Sequence, residues 1–182
     1  AVSTLIAIDK LGAKYQCFAP DASQTLVKNH LTGAQSSESR NLLVESARIA
    51  RGAIKPLSDY RAEDFAGMVF PGGFGAALNL SSFAKEGAAC TVRPDVKDAV
   101  LSTHRLGKPI GALCIAPVII AKLLGEKGIN VTIGNDADTA AAIAQMGARH
   151  ENKKAAEVCI DKAHKIVTCP CYMRAESIAE VA

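Results

Sequence analysis

The chain has 182 residues, about half of them apolar, 21% charged and only 4% aromatic, with no tryptophan. That profile suits one tightly packed α/β domain and excludes a disordered chain or an aromatic-rich all-β fold. The net charge is +3 with both signs interspersed, and no run of like charges marks a nucleic-acid or membrane surface; even Lys153-Lys154 reads as a solvated loop.

Val2, Leu5, Ile6, Ile8 and Leu11 recur at helical spacing up to Gly12. This helix begins at residue 1 without a cap, so a preceding segment is expected. Lys14 to Ala19 reads as a strand ended by Pro20-Asp21. The Ser36 to Ser39 cluster supplies a loop and N-cap for a helix over Leu42 to Arg51, closed by Gly52. Asp64 to Phe70 reads as a buried strand, and the sharp turn Pro71-Gly72-Gly73-Phe74-Gly75 leads to a short helix near Ala76 to Leu80.

Pro94 opens a helix that runs to Leu106 and stops at Gly107. Ile110 to Leu113 is the next strand, and the helix after Cys114 ends near Gly125. A strand over Asn130 to Ile133 and a helix over Thr139 to Met146 follow. Glu157 to Ile160 and Lys165 to Thr168 form a hairpin around Asp161 to His164. A final helix starts at Tyr172 and is still helical at Ala182, so a continuation is expected there too. Strands alternating with helices imply a mostly parallel sheet covered on both faces, in a single domain.

Six cysteines stand at positions 17, 90, 114, 159, 169 and 171. They form no CxxC pair and no regular framework, and several lie in apolar runs, so a reducing compartment is expected. No apolar run is long enough to span a bilayer. A cytoplasmic setting is expected, with a mitochondrial one as the alternative for a eukaryotic source.

One cysteine is different. Pro109 to Leu113 leads apolar into Cys114, and Val118 to Leu124 continues apolar after it. The thiol then sits at a strand-to-helix turn, where unpaired N–H groups and the positive helix end favour thiolate. In open parallel sheets, ligands bind beyond the carboxyl ends of strands. Two such ends carry chemistry here, Cys114 and the Gly72-Gly73 turn. Backbone N–H groups of that turn, with the N–H after the nucleophile, can form an oxyanion hole. Gly72 to Gly75 is no dinucleotide fingerprint, since it lacks the GxGxxG spacing.

Phe18 to Asp21, Glu38 to Asn41, Glu45 to Gly52, Ile54 through Ala77, Asn79 to Ser81, Cys90 to Val92, Gly107 through Pro117 and Pro170 to Met173 resemble the ElbB family. These are the enhancing-lycopene-biosynthesis or isoprenoid-biosynthesis glyoxalase proteins, within the superfamily of PfpI-type proteases, the parkinsonism-associated deglycase and class I glutamine amidotransferases. The resemblance spans nearly the whole chain. It implies a flavodoxin-like three-layer sandwich whose first strand precedes Ala1, and a nucleophile elbow at Cys114. It implies an oxyanion hole from Gly73 and Ile115, and substrate contacts from Gly72, Phe74 and Gly75. It implies a homodimer and a cofactor-free conversion of methylglyoxal or glyoxal to lactate or glycolate without glutathione. The substrate is thus a small α-oxoaldehyde, with no metal, nucleic acid or membrane partner.

Four departures qualify the resemblance. The family's acidic partner of the cysteine lies in the first strand and turn, so no residue here takes that role. Ile115 stands where hydrolytic relatives carry His, which argues against a peptidase or amidohydrolase. Leu78 replaces a Lys that members often carry. Cys169 and Cys171 flank Pro170 where relatives usually have Thr and Ala, and are expected near the pocket. A rival reading is a non-catalytic redox sensor, because an activated thiol also oxidises readily. The four histidines are scattered: His104 reads as a helix-end residue, His150 as a loop residue that could approach Cys114, and His164 as hairpin surface. Arg40 and Arg48 read as surface pairs, with a pocket or dimer role as the alternative.

Overall fold

The computed structural model describes residues 1–180. The chain divides into two compact units, residues 1–60 and 61–182, of which Val181 and Ala182 lie outside the described residues. The first unit holds α1 (Val2–Lys10), β1 (Cys17–Ala19), α2 (Leu42–Ala50) and β2 (Ile54–Pro56). β1 and β2 pair in parallel, Cys17 opposite Ile54. The cap of α2 is Asn41 rather than the serine cluster: its side chain accepts the Val44 N–H at 3.0 Å. The helix closes through Arg51 in the left-handed conformation, with Gly52 after it. Arg40 pairs with Glu38 at 2.7 Å and Arg48 with Glu45 at 2.9 Å, as surface pairs.

The second unit is built on β3 (Met68–Phe70), β4 (Ile110–Leu113), β5 (Asn130–Gly134), β6 (Arg149–Asn152), β7 (Cys159–Asp161) and β8 (Ile166–Cys169). Four of them form one sheet in the order β3-β4-β8-β7, with β3, β4 and β8 parallel and β7 antiparallel to β8. β5 and β6 pair in parallel. The helices are α3 (Gly75–Leu78), α4 (Phe83–Glu86), α5 (Pro94–Arg105), α6 (Pro117–Leu124) and α7 (Ala137–Gln145). The core is made of Val96 and Val100 from α5, Val118 to Ala121 from α6, and Ile110, Val131, Ile133, Ile143 and Ile166, all sealed from solvent. Burial on this scale, at roughly 25 cal/mol per Å² of apolar surface, is what holds α5 and α6 on the sheet. The mixed α/β architecture with mostly parallel sheets is the flavodoxin-like class expected from the sequence.

Several elements differ from expectation. The strand expected over Asp64 to Phe70 shrinks to β3 because Ala62–Asp64 forms a single 3-10 turn, and Val69 is half-exposed. β6 was not expected, since Arg-His-Glu-Asn carries no apolar alternation. The final helix is absent: Cys171–Met173 is one 3-10 turn, and the described residues beyond it are not helical. Cys171 has a φ of +46°, which no α-helix accommodates, and the Glu176 N–H is taken by the Glu180 carboxylate at 2.7 Å.

The β7–β8 hairpin is as expected, but its loop is not plain surface. The buried Asp161 carboxylate accepts the Asn130 and His164 N–H groups at 2.9 and 3.0 Å and lies 2.9 Å from His164 Nδ1. Burial opposes its ionisation, yet these donors outweigh that and hold the carboxyl below its usual range. His164 is therefore half-buried and tied down, with His104 stacked on it at 6.2 Å between centroids.

Candidate active site

β4 ends at Leu113 and α6 begins at Pro117, so Cys114 falls in the tight turn between them. Its φ is +59°, a conformation costing a side-chain-bearing residue on the order of 1–3 kcal/mol. Three hydrogen bonds hold it there. The Cys114 N–H donates to the Cys169 carbonyl at 2.9 Å, the Ala116 N–H to Leu113 at 3.0 Å, and the Val118 N–H to Ile115 at 3.2 Å. The strain is thus fixed by β8 on one side and by the entry to α6 on the other.

The glycine turn after β3 lies against this elbow. β3 and β4 run parallel, Phe70 opposite Ala112. Gly72 follows with a φ of +84°, and a Cβ on it would stand 2.5 Å from the Leu113 carbonyl oxygen and 2.8 Å from Cys114 Cβ. Only glycine fits. Gly73 also has a left-handed backbone, with a φ of +87°, but a Cβ there would meet nothing within 4 Å. The space beside Gly73 is open, whereas Gly72 is in contact. Among the described residues, neither the Gly73 nor the Ile115 amide donates to a protein acceptor. Both unpaired donors stand at strand ends, Gly73 one residue after the glycine that packs on the elbow and Ile115 one residue after Cys114.

The remaining expected residues are placed as follows. Ile115 is buried, as an apolar residue at the head of α6 should be. Gly75 starts the single turn α3, and Phe74 before it is 70% exposed. No hydrogen bond joins a histidine to Cys114 among the described residues. His150 lies on β6, not in a loop, and its Nε2 accepts the Ile133 N–H at 3.3 Å. That acceptor role requires the neutral ring, in keeping with burial pushing its pKa down. His104 and His164 belong to the Asp161 cluster. Among the described residues, no group of three His, Cys, Asp or Glu side chains is arranged to hold a metal ion.

The site gains two residues whose role the sequence left open. Cys171 Sγ lies 3.7 Å from Cys169 Sγ, and the Cys169 carbonyl accepts the Cys114 N–H at 2.9 Å. Burial, then the neighbouring Cys169 and Cys114, push the Cys171 thiol up to about 12. Burial likewise raises Cys17, Cys90 and Cys159, the last to about 11. The sequence signals for the cluster are the Cys-Pro-Cys run and its departure from the family's usual Thr and Ala.

Comparison with known proteins gives a consistent picture. No family model matches the chain. It is 44% identical to the human "glutamine amidotransferase-like class 1 domain-containing protein 3, mitochondrial", over 95% of this chain and 68% of that protein. It is 43% identical to the rat "ES1 protein homolog, mitochondrial", with the same coverage. Among solved structures it superposes at a TM-score of 0.91 and 35% identity on an isoprenoid biosynthesis protein with an amidotransferase-like domain from Ehrlichia chaffeensis, covering 99% of this chain and 83% of that one. A two-domain protein with DJ-1/ThiJ/PfpI-like and ferritin-like domains from Anabaena variabilis shares the fold at a TM-score of 0.58 and 16% identity, over 92% of this chain and 38% of that one. No described helix is long and apolar enough to cross a membrane.

Proposed function

This chain belongs to the family of glutamine amidotransferase-like class 1 domain and ES1 proteins, and from that premise we propose that it is an ElbB-type, cysteine-dependent enzyme acting on small α-oxoaldehydes. The observation that carries the reading is the left-handed Cys114 at the β4–α6 turn, with Gly72 packed beneath it and two unpaired amides beside it. In this reading the Cys114 thiolate adds to the aldehyde carbon of methylglyoxal or glyoxal to give a hemithioacetal. The Gly73 and Ile115 N–H groups take the oxyanion. A proton then passes from the former aldehyde carbon to its neighbour, and water hydrolyses the resulting thioester to lactate or glycolate, freeing the thiol. The proton carrier implied by the family resemblance is an acid in the segment preceding Ala1. Gly72, Phe74 and Gly75 line the substrate side, and the protein works as a homodimer.

The relatives' mitochondrial names favour a mitochondrial setting over the cytoplasmic one expected from the sequence. The isoprenoid biosynthesis description of the Ehrlichia protein supports the ElbB assignment in particular. The experiment is turnover of methylglyoxal without glutathione by the full-length protein beside its Cys114→Ala variant. Lactate should form with the first and fall to background with the second. Equal rates in the two would remove Cys114 from the chemistry.

A further inference from the structure

β4 and β8 stay side by side to their last residues, Leu113 opposite Cys169, so both chains leave the sheet together. The Cys114 amide, donating to the Cys169 carbonyl at 2.9 Å, fixes their spacing. Pro170 then turns the second chain, and Cys171 adopts a φ of +46°. This is a sparsely populated conformation for a side-chain-bearing residue. It sets the Cys171 thiol within 3.7 Å of Cys169 Sγ, to which it donates, at the same sheet end from which Cys114 leaves β4. Cys169 Sγ in turn donates to the Ala155 carbonyl at 3.2 Å. All three thiols are free and partly exposed. A cysteine that only fills a core needs neither a left-handed backbone nor two thiol neighbours at a strand end.

We propose that Cys171 is the resolving thiol of Cys114: a hydroperoxide oxidises Cys114, and Cys171 captures the product as a reversible disulfide. In the first step the Cys114 thiolate attacks the peroxide. The O–O bond breaks, an S–O bond forms, Cys114 becomes a sulfenic acid, and the other oxygen leaves as water or an alcohol. In the second step the Cys171 sulfur attacks Cys114 Sγ. The S–S bond forms, the S–O bond breaks, and the hydroxyl leaves as water with the Cys171 proton. Two electrons have passed from the two thiols to the peroxide, and an external dithiol returns them.

Burial, the largest cause, keeps Cys171 in the thiol form before the first step. Cys169, as the acceptor of the Cys171 S–H, positions that thiol. Without Cys171, a second peroxide carries Cys114 on to sulfinic acid, which dithiols do not reverse. The inference rests on Cys114 as the reactive thiol of the proposed enzyme, not on its aldehyde chemistry, so absence of methylglyoxal turnover leaves it intact.

The test is peptide mapping by mass spectrometry, without reductant, after the full-length protein meets a small excess of hydrogen peroxide. The expected product is a Cys114–Cys171 cross-link, lighter by two hydrogens and reversed by dithiothreitol. In Cys171→Ala and Cys171→Ser, Cys114 should instead gain two oxygens that dithiothreitol does not remove. Sulfinic acid at Cys114 in the unmodified protein, formed as fast as in both variants, would overturn the proposal. So would a Cys169–Cys171 disulfide with Cys114 oxidised separately.

Discussion

Replacing Gly72 by alanine is expected to lower methylglyoxal turnover by about 100-fold, the scale of a misplacement of roughly 1 Å at a reacting centre. The added methyl would stand 2.5 Å from the Leu113 carbonyl oxygen and 2.8 Å from Cys114 Cβ, so one of the two strand ends must move. Both atoms belong to the elbow, and Leu113 is held in turn by the Ala116 N–H at 3.0 Å. The left-handed φ of +84° adds strain on the order of 1–3 kcal/mol. The loss should fall mainly on kcat, because the Gly73 amide and the thiol no longer share one reacting atom. A Gly72→Ala enzyme with wild-type kcat would show that the β3 turn has no part in the reaction.

The second large effect is on stability. Gly125 closes α6 with an ordinary helical φ of −56°, so its backbone would accept alanine. The surroundings would not. A Cβ there would stand 2.0 Å from the Met146 carbonyl oxygen and 2.9 Å from Met146 C. Both are backbone atoms, with no rotamer to relieve the overlap. Overpacking of this kind costs about 3 kcal/mol, near the upper end of the usual range. For a chain of this size that is a fall in melting temperature of about 10 °C. Thermal unfolding of Gly125→Ala reads the number. The labelling rate of Cys114 per folded molecule should stay near wild type, since the clash lies at the far end of α6 from the elbow. A melting temperature unchanged within error would contradict the packing described for α6 and the Met146 turn.

The contrast between these glycines shows where the sequence could be read and where it could not. β4 is read to the residue, because Pro109 before it and the turn after it bound a short apolar run. The glycine turn is legible as a turn, but the contact of Gly72 with Cys114 comes from the parallel register of β3 and β4, which no local pattern encodes. The left-handed backbone of Cys114 is equally hidden, since a non-glycine residue with positive φ has no composition signal; the apolar runs on either side place it at a strand-to-helix turn, and the family resemblance makes that turn a nucleophile elbow. β6 escaped because a polar strand in a pair carries no period-two alternation. The last helix, expected from Tyr172 onward, gives way to a single 3-10 turn entered through the left-handed Cys171. His150, expected in a loop, serves as a backbone acceptor through β6. For Cys169 and Cys171 the family comparison indicated proximity to the pocket, while the hydrogen bond between them follows from the left-handed backbone of Cys171 after Pro170.

The proposed chemistry requires Cys114 to be the most reactive thiol of the chain. Limiting iodoacetamide at neutral pH on the full-length protein, followed by peptide mapping, tests it against the other five cysteines of the same chain. Burial holds Cys17, Cys90, Cys159 and Cys171 in the thiol form, and the thiolate is the species that reacts. Cys114 should carry the label first, with the others modified only as reagent approaches excess or the protein unfolds. Labelling that begins at Cys17 or Cys169, or that spreads over all six cysteines at one rate, would contradict it.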